Sequence, residues 1–404
     1  MEAKVCLFLR VLERIIYKIL FYVFIMKLKQ IPEDFVVKEI YDLDKLRKKQ
    51  SIGEEVYYFI LKKKNYTLNR AMENISKIFL ISQKNVHFAG MKDRQGVTTQ
   101  LISIINAANI EENVEKFNPN YNGLNLEKIG KFPARLNLGD NIGNEFRIVI
   151  RDLEEKEIVN AKKRIKEISD EGIPNYFDSQ RFGFGDKNPV IGKYLIRGDF
   201  KKAFFHILTA IPEENQKKEH REFVDYIEEN WEKIVYENRW KEVLDKIPFW
   251  LKEEINMINY VRKYENNFLG AINLLHKKIR TMYVNSYQSY LFNETIKYLI
   301  SIGKFKEYSE LPLVSFRTKL AGDWGKYVQQ LMSQDGINLE SFKMLKSPTI
   351  RPKEIIRQTR IQINSFKILS EDKDELNLGK TKMILSFGLD KGSYATNVVK
   401  EIFN

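Results

Sequence analysis

The chain changes texture twice along its length, and this pattern constrains its fold more than any single motif does. From Lys27 to about Phe146, strand-like and helix-like stretches alternate. Phe35-Val36-Val37-Lys38-Glu39-Ile40 and Tyr57-Tyr58-Phe59-Ile60-Leu61 are rich in β-branched and aromatic residues and predict strands. Val86-His87-Phe88-Ala89 and Val97-Thr98-Thr99-Gln100-Leu101-Ile102 predict two more, bracketing a polar turn as a hairpin does. Thr67 offers an N-cap to a helix whose apolar residues Leu68, Ala71, Met72, Ile75, Ile78 and Phe79 recur at helical spacing. A second helix carries Ile158, Ala161, Ile165 and Ile168 and stops at Gly172 and Pro174. From about Phe200 to Gly303 the pattern is strongly helical, and three of the four tryptophans (Trp231, Trp240, Trp250) give this stretch a core of its own. Strands return near the end, at Met383-Ile384-Leu385-Ser386-Phe387 and at Tyr394-Ala395-Thr396. A β-rich start and end around a helical middle predicts a domain interrupted by an insertion. The expected division is 27–175 with 355–404 for the interrupted domain and 176–354 for the insertion, after an extension over residues 1–26.

Composition narrows the partners. Lysine and arginine exceed aspartate and glutamate by 67 − 54 = 13 charges, which favours a polyanion as ligand. The chain is 43% apolar, enough for a sizeable core and too much for a disordered protein. Its single cysteine, Cys6, cannot form an internal disulfide, so a reducing compartment is the default. The apolar run from Ile15 to Ile25 is interrupted by Lys18 and falls short of the roughly 18 residues of a spanning helix. No small-residue cleavage site follows it. The reading is therefore an extension upstream of a start at Met26, not a membrane anchor.

Chemistry is approached by exclusion. The four histidines are scattered without metal-ligand spacing, and no phosphate-binding glycine loop, dinucleotide fingerprint or serine elbow occurs. Carboxylate chemistry is what remains. The segment Ala89-Gly90-Met91-Lys92-Asp93-Arg94-Gln95-Gly96 places an acid between two cations, in a turn with a glycine on each side. Lys92 and Arg94 would favour an ionised Asp93, as a nucleophile or base requires, and the glycines would let backbone approach a substrate. An ordinary solvated hairpin turn fits the same residues.

The wider pattern resembles the TruD family of tRNA pseudouridine synthases. Gly90 to Gln100 is similar to that family's catalytic signature, and Pro32-Glu33-Asp34-Phe35-Val36-Val37-Lys38-Glu39-Ile40 precedes it. Gly143-Asn144-Glu145-Phe146, Pro174-Asn175-Tyr176-Phe177 with Gln180-Arg181-Phe182-Gly183, Tyr287-Gln288-Ser289-Tyr290-Leu291-Phe292-Asn293 and Lys391-Gly392-Ser393-Tyr394-Ala395-Thr396 follow in the family's order. Three positions depart from it: Gly96 stands where alanine is usual, Asp178 where glycine is common and Lys400 where arginine is common.

The resemblance implies an α+β fold: a pseudouridine-synthase domain with a mainly antiparallel sheet, helices on one face and a central cleft, plus a helix-rich TRUD insertion domain. It implies isomerisation of a tRNA uridine, uridine 13 in typical members, with tRNA as partner and no metal, nucleotide or other cofactor. A monomeric, cytoplasmic enzyme is expected. Asp93 matches the catalytic aspartate, Asn144 an active-site amide, and Lys62, in a run Lys62-Lys63-Lys64 that leaves the register open, a lysine near the acid. Phe146, which the pattern of the strand Phe146-Arg147-Ile148-Val149-Ile150 alone reads as core, matches an aromatic residue that stacks on the target base. Arg94 and Arg181 join the substrate-binding set, Arg181 with a carboxylate partner such as Asp178 as its alternative, and Gln288 or Asn293 would face the cleft. From charge alone, the run Lys343 to Lys367 holds seven basic residues against one acid, and Lys343, Arg351, Lys353 and Arg357 are the candidates for RNA backbone contacts. A non-catalytic RNA-binding or RNA-remodelling protein of the same fold is the alternative, against which Asp93, Asn144 and Phe146 speak.

Overall fold

The computed structural model describes residues 26–92, 94–210, 218–344 and 350–403. Asp93, Lys346, Cys6 and the apolar run over 15–25 lie outside the described residues. The chain divides into two compact units, one made of residues up to Ile173 together with Ile361 onward, the other of Pro174–Arg360. The boundaries thus fall at 173/174 and 360/361, against 175/176 and 354/355 read from the sequence.

The first unit is built on a nine-stranded sheet. Its strands are β1 (Lys27–Leu28), β2 (Phe35–Ile40), β3 (Val56–Lys64), β4 (Val86–Phe88), β5 (Val97–Ile105), β6 (Leu124–Phe132), β7 (Gly143–Leu153), β8 (Asn364–Lys373) and β9 (Thr381–Asp390). The order across the sheet is β8-β9-β7-β2-β5-β3-β6, with β1 on β7 and β4 on β5. Every pairing is antiparallel except β2 with β5 at the centre, where Val37 lies beside Thr98.

Strand alternation decides which residues share a face. In register, Val37 sits opposite Phe146 and Glu39 opposite Asn144, while Leu61 sits opposite Gln100 and Lys63 opposite Thr98. All eight therefore point to one face. At one end of that face, the helices Leu68–Ile78 and Ile110–Asn120 pack onto Phe59, Leu61, Ile102 and Leu126. At the other, the helices Glu155–Glu171 and Ala395–Phe403 pack onto Val37, Phe146, Ile148 and Leu385. The second of these starts where a strand was expected at Tyr394-Ala395-Thr396, because Ala395, Val398, Val399 and Ile402 bury one helical face. A polar strip of Glu39, Lys63, Thr98, Gln100 and Asn144 lies between the two apolar packs. The opposite face has a smaller core of Leu46, Val56, Tyr58, Leu101, Ile105, Phe132 and Leu136.

One buried cation ties the early and late strands of this unit together. The Arg151 guanidinium on β7 donates to Asp34 at 2.9 and 3.0 Å, to Asp374 at 2.8 Å and to Glu375 at 3.0 Å. Burial pushes the Asp374 carboxyl up, but the Asp152 and Leu376 amides, Asn377 and Arg151 outweigh it and hold it at about 2.

The second unit is mainly helical. Its spine is the helix Lys277–Ser301, buried along most of its circumference. Phe204, Trp231, Trp240 and Phe268 form an aromatic core with centroid separations of 5.3–6.4 Å, and the Trp240 indole donates to Asn266 at 2.8 Å. Trp231 and Trp240 are thus core residues. The strands Glu310–Leu313 and Ile355–Gln358 pair antiparallel at the far end of the sequence of this unit. The basic run of the sequence is split by the boundary: Lys343, Arg351, Lys353, Arg357 and Arg360 belong here, Lys367 to the first unit.

Candidate active site

The loop joining β4 to β5 is pinned at both of its glycines. Gly90 O accepts from the Gln100 side chain at 3.3 Å, and Gly96 O accepts from the Asn65 amide at 3.1 Å. A side chain would press on neighbours at Gly90 and is shut out at Gly96. A Cβ on Gly90 would lie 3.1 Å from a Glu39 carboxylate oxygen and 3.2 Å from the Lys92 ammonium. Gly96 has φ +141°, and a Cβ there would come within 2.5 Å of the Phe35 carbonyl oxygen. The departure from alanine at this position is therefore matched to the close approach of β2. Between the two pins, Met91 is 80% exposed and Arg94 is exposed.

The charges in the loop are arranged differently from the sequence expectation. Lys92 does not stand as a free cation beside position 93: its ammonium is 2.6 Å from Glu39 Oε1, and the Glu39 side chain is wholly buried. The Tyr41 hydroxyl donates to the other Glu39 oxygen at 2.9 Å. Burial, and then the neighbouring carboxylate, push the Tyr41 phenol far up, so it stays a donor at any ordinary pH. Lys63 is the lysine that reaches the loop, its Nζ donating to the Lys92 carbonyl at 3.3 Å and to the Tyr66 carbonyl at 3.0 Å. Lys62, carried over from the resemblance, is exposed, because alternation along β3 turns it to the other side from Lys63.

Asn144 and Phe146 follow on the same face. Asn144 lies beside Glu39, and its side-chain oxygen is buried without a hydrogen-bond partner. The hydroxyl of Thr98 and the side-chain oxygen of Gln100, both fully buried, also lack partners. Phe146, expected to stack on a base, is a core residue: it is 7% exposed and packs against Phe387 at 5.6 Å and Phe35 at 6.1 Å. Its ring is already covered by the apolar pack of that end of the sheet.

Glu39 and Tyr41 were not singled out by sequence reasoning, and Lys63 only as a member of the run Lys62-Lys63-Lys64. A signal for Glu39 existed. It shares strand parity with Phe35 and Val37, so it is a charge in an otherwise apolar inward-facing set.

The residues expected in the second unit have mixed fates. Arg181 donates to the Ser289 hydroxyl at 3.3 Å and lies 5.6 Å from the Phe177 ring centre, while Asp178 caps the following turn through the Ser179 amide at 2.7 Å. Arg357 is structural: its guanidinium donates to the Asn175 side chain at 2.5 Å and to the Asn175 carbonyl, and stacks 4.0 Å from the Phe177 ring centre. Lys343 pairs with Glu340 at 2.6 Å. Arg351 and Lys353 are exposed. Gln288 and Asn293 do not face open space. Gln288 donates to the Val314 and Lys353 carbonyls at 2.7 and 3.0 Å, and Asn293 brackets Phe177, accepting from its amide at 2.8 Å and donating to its carbonyl at 2.9 Å.

Among the described residues no group of three or more His, Cys, Asp and Glu could hold a metal ion, and no helix is long and apolar enough to cross a membrane.

Comparison with known proteins places the chain in a family. The family model for tRNA pseudouridine synthase D (TruD) matches residues 22–311 and 301–402. The chain is 30% identical to "Probable tRNA pseudouridine synthase D 2" of Methanocaldococcus jannaschii, over 94% of this chain and 92% of that one. It is 30% identical to "Probable tRNA pseudouridine synthase D" of Thermococcus sibiricus, over 93% of this chain and 94% of that one. A crystal structure of the "Putative tRNA pseudouridine synthase D (TruD)" from Methanosarcina mazei superposes with a TM-score of 0.74 at 27% identity, covering 93% of each chain. With the family model matching nearly the whole described chain and the fold shared throughout, this chain belongs to the tRNA pseudouridine synthase D (TruD) family.

Proposed function

We propose that this chain isomerises a uridine of tRNA to pseudouridine, that Asp93 is its catalytic carboxylate, and that the target is uridine 13. The observation that carries the reading is the loop from Gly90 to Gly96, pinned at one end on Gln100 of the polar strip and at the other on the Asn65 amide just past β3, with the one acid of the segment between them in sequence.

The reaction balances within the substrate. The N1–C1′ bond breaks, the freed uracil turns, C5 bonds to C1′, the C5 proton leaves and N1 regains one. No group is added or lost, so an acid and a shaped pocket suffice. The target nucleotide must leave its stack to reach such a pocket. Arg94, exposed at the mouth of the loop, suits a contact to the flanking backbone of the RNA. Asn144 brings an unpartnered acceptor for a uracil N–H. Lys63, rather than Lys62, is the lysine suited to the neighbourhood of the acid. Phe146 supports Asn144 from the apolar side, two residues along the same strand face. Arg351 and Lys353 are the backbone-contact candidates of the second unit, and Arg357 drops out because its guanidinium is already engaged by Asn175 and Phe177. The division into a synthase domain and a TRUD insertion domain, a monomeric state and a cytoplasmic location complete the reading.

The test is Asp93→Asn, assayed for conversion and for binding on unmodified tRNA transcript. Conversion is expected to fall by several orders of magnitude, since the charge and the nucleophilic oxygen are lost while size is kept. Affinity should stay within about tenfold, or about 1.4 kcal/mol, because phosphate contacts elsewhere carry binding. A variant converting at the wild-type rate refutes the role of Asp93. Pseudouridine mapped to another position refutes the target alone.

A further inference from the structure

We infer that Glu39 is a positioning residue for the reaction: its buried carboxylate holds Lys92, and through Lys92 the chain segment that presents position 93. The inference rests on the role given to Asp93 above.

Four observations carry it. Glu39 is wholly buried and Lys92 nearly so, with 2.6 Å between their charges. The second carboxylate oxygen is occupied by the Tyr41 hydroxyl, which keeps Glu39 from turning away. Gly90 lacks a side chain where one would press on the pair. Lys92 is held at its other end too, because Lys63 donates to its carbonyl oxygen. The peptide is planar, so Lys92 is fixed at its backbone carbonyl as well as at its ammonium, one residue before the proposed acid in sequence.

Stability alone is a poor reason for such a pair. Taking both charges out of water consumes most of what their attraction returns, and apolar residues of the same volume usually do as well. What a buried, hydrogen-bonded pair adds is one geometry. A reacting group displaced by about 1 Å can lose about 100-fold in rate, so a clamp one residue away has leverage on the chemistry without touching RNA.

The experiment uses the full chain with Glu39→Gln, Lys92→Met and the double substitution. Each is assayed for tRNA affinity and for single-turnover conversion at saturating unmodified tRNA, below its own unfolding temperature. Each single substitution should slow conversion about 100-fold and leave affinity within about threefold. The double substitution should be no slower than the slower single one, because the two residues act as one device. Wild-type conversion in Glu39→Gln, a loss confined to affinity, or single losses that multiply in the double variant would each overturn the inference. Should Glu39→Gln fail to fold, Tyr41→Phe leaves the ion pair and frees one carboxylate oxygen. Its conversion should fall about fivefold at unchanged affinity, roughly the worth of one hydrogen bond, and an unchanged rate counts against the clamp. If Asp93→Asn is inactive while Glu39→Gln is normal, positioning fails alone; if Asp93→Asn is fully active, the reading of the site fails first.

Discussion

The polar strip of the first unit and the spine helix of the second both bury amides and hydroxyls, but they use them differently. On the spine, Gln288 and Asn293 are spent on backbone: one amide serves two carbonyls, the other serves both the N–H and the C=O of Phe177. On the strip, Asn144, Thr98 and Gln100 each keep an oxygen with no partner. A buried polar atom left unpaired costs about 1–3 kcal/mol, so the spine is polar burial that holds a fold and the strip is polar burial that folding alone does not recover. The contrast separates amides that the fold pairs from oxygens that it leaves without a partner.

The contrast can be broken at its strongest point first. Asn293→Leu keeps the volume and leaves the Phe177 N–H and C=O buried without partners, so urea unfolding should show a loss of about 3–4 kcal/mol. A loss under about 1 kcal/mol would remove the distinction. Asn144→Ala should do the opposite, changing unfolding free energy by no more than about 0.5 kcal/mol while single-turnover conversion falls about 100-fold, or about 2.8 kcal/mol. Equal damage to stability would make Asn144 one more structural amide. The smallest effect belongs to Thr98→Val, which replaces an unpartnered hydroxyl by a methyl of the same shape. Stability should be unchanged or higher by up to about 1 kcal/mol, and a clear loss in thermal unfolding would mean that the hydroxyl has a partner after all.

What was legible in the sequence was local. The strands at 35–40, 57–61, 86–89 and 97–102 and the helix capped by Thr67 rest on periodicity and capping, which neighbours in sequence supply, and the structure has elements at each. The hairpin-like reading of 86–102 is met as well, since β4 and β5 pair antiparallel. What failed was facing and partnership. Lys62, Lys63 and Lys64 are chemically identical, so no hydrophobic pattern says which one turns inward; pairing of β3 with β5 decides it. Arg357 reads as one more cation in a basic run, and only the fold brings Asn175, Phe177 and Phe292 around it. The strand Phe146-Arg147-Ile148-Val149-Ile150 by itself reads as core at Phe146, and the burial of that ring agrees with the pattern over the resemblance.

The Arg151 cluster sets a timetable for synthesis. Asp374 lies 223 residues after Arg151, which a ribosome moving at about 5–20 residues per second covers in roughly 10–45 s. Residues 174–360, by contrast, are contiguous and can fold as they emerge. During the wait, β7 has β2 on one side and an open row of amides and carbonyls on the side that β9 later fills. Such an edge is a template for other chains. The nascent protein is therefore most exposed to mispairing not while its site loop is being made but afterwards, until the last two strands leave the exit tunnel and close the sheet.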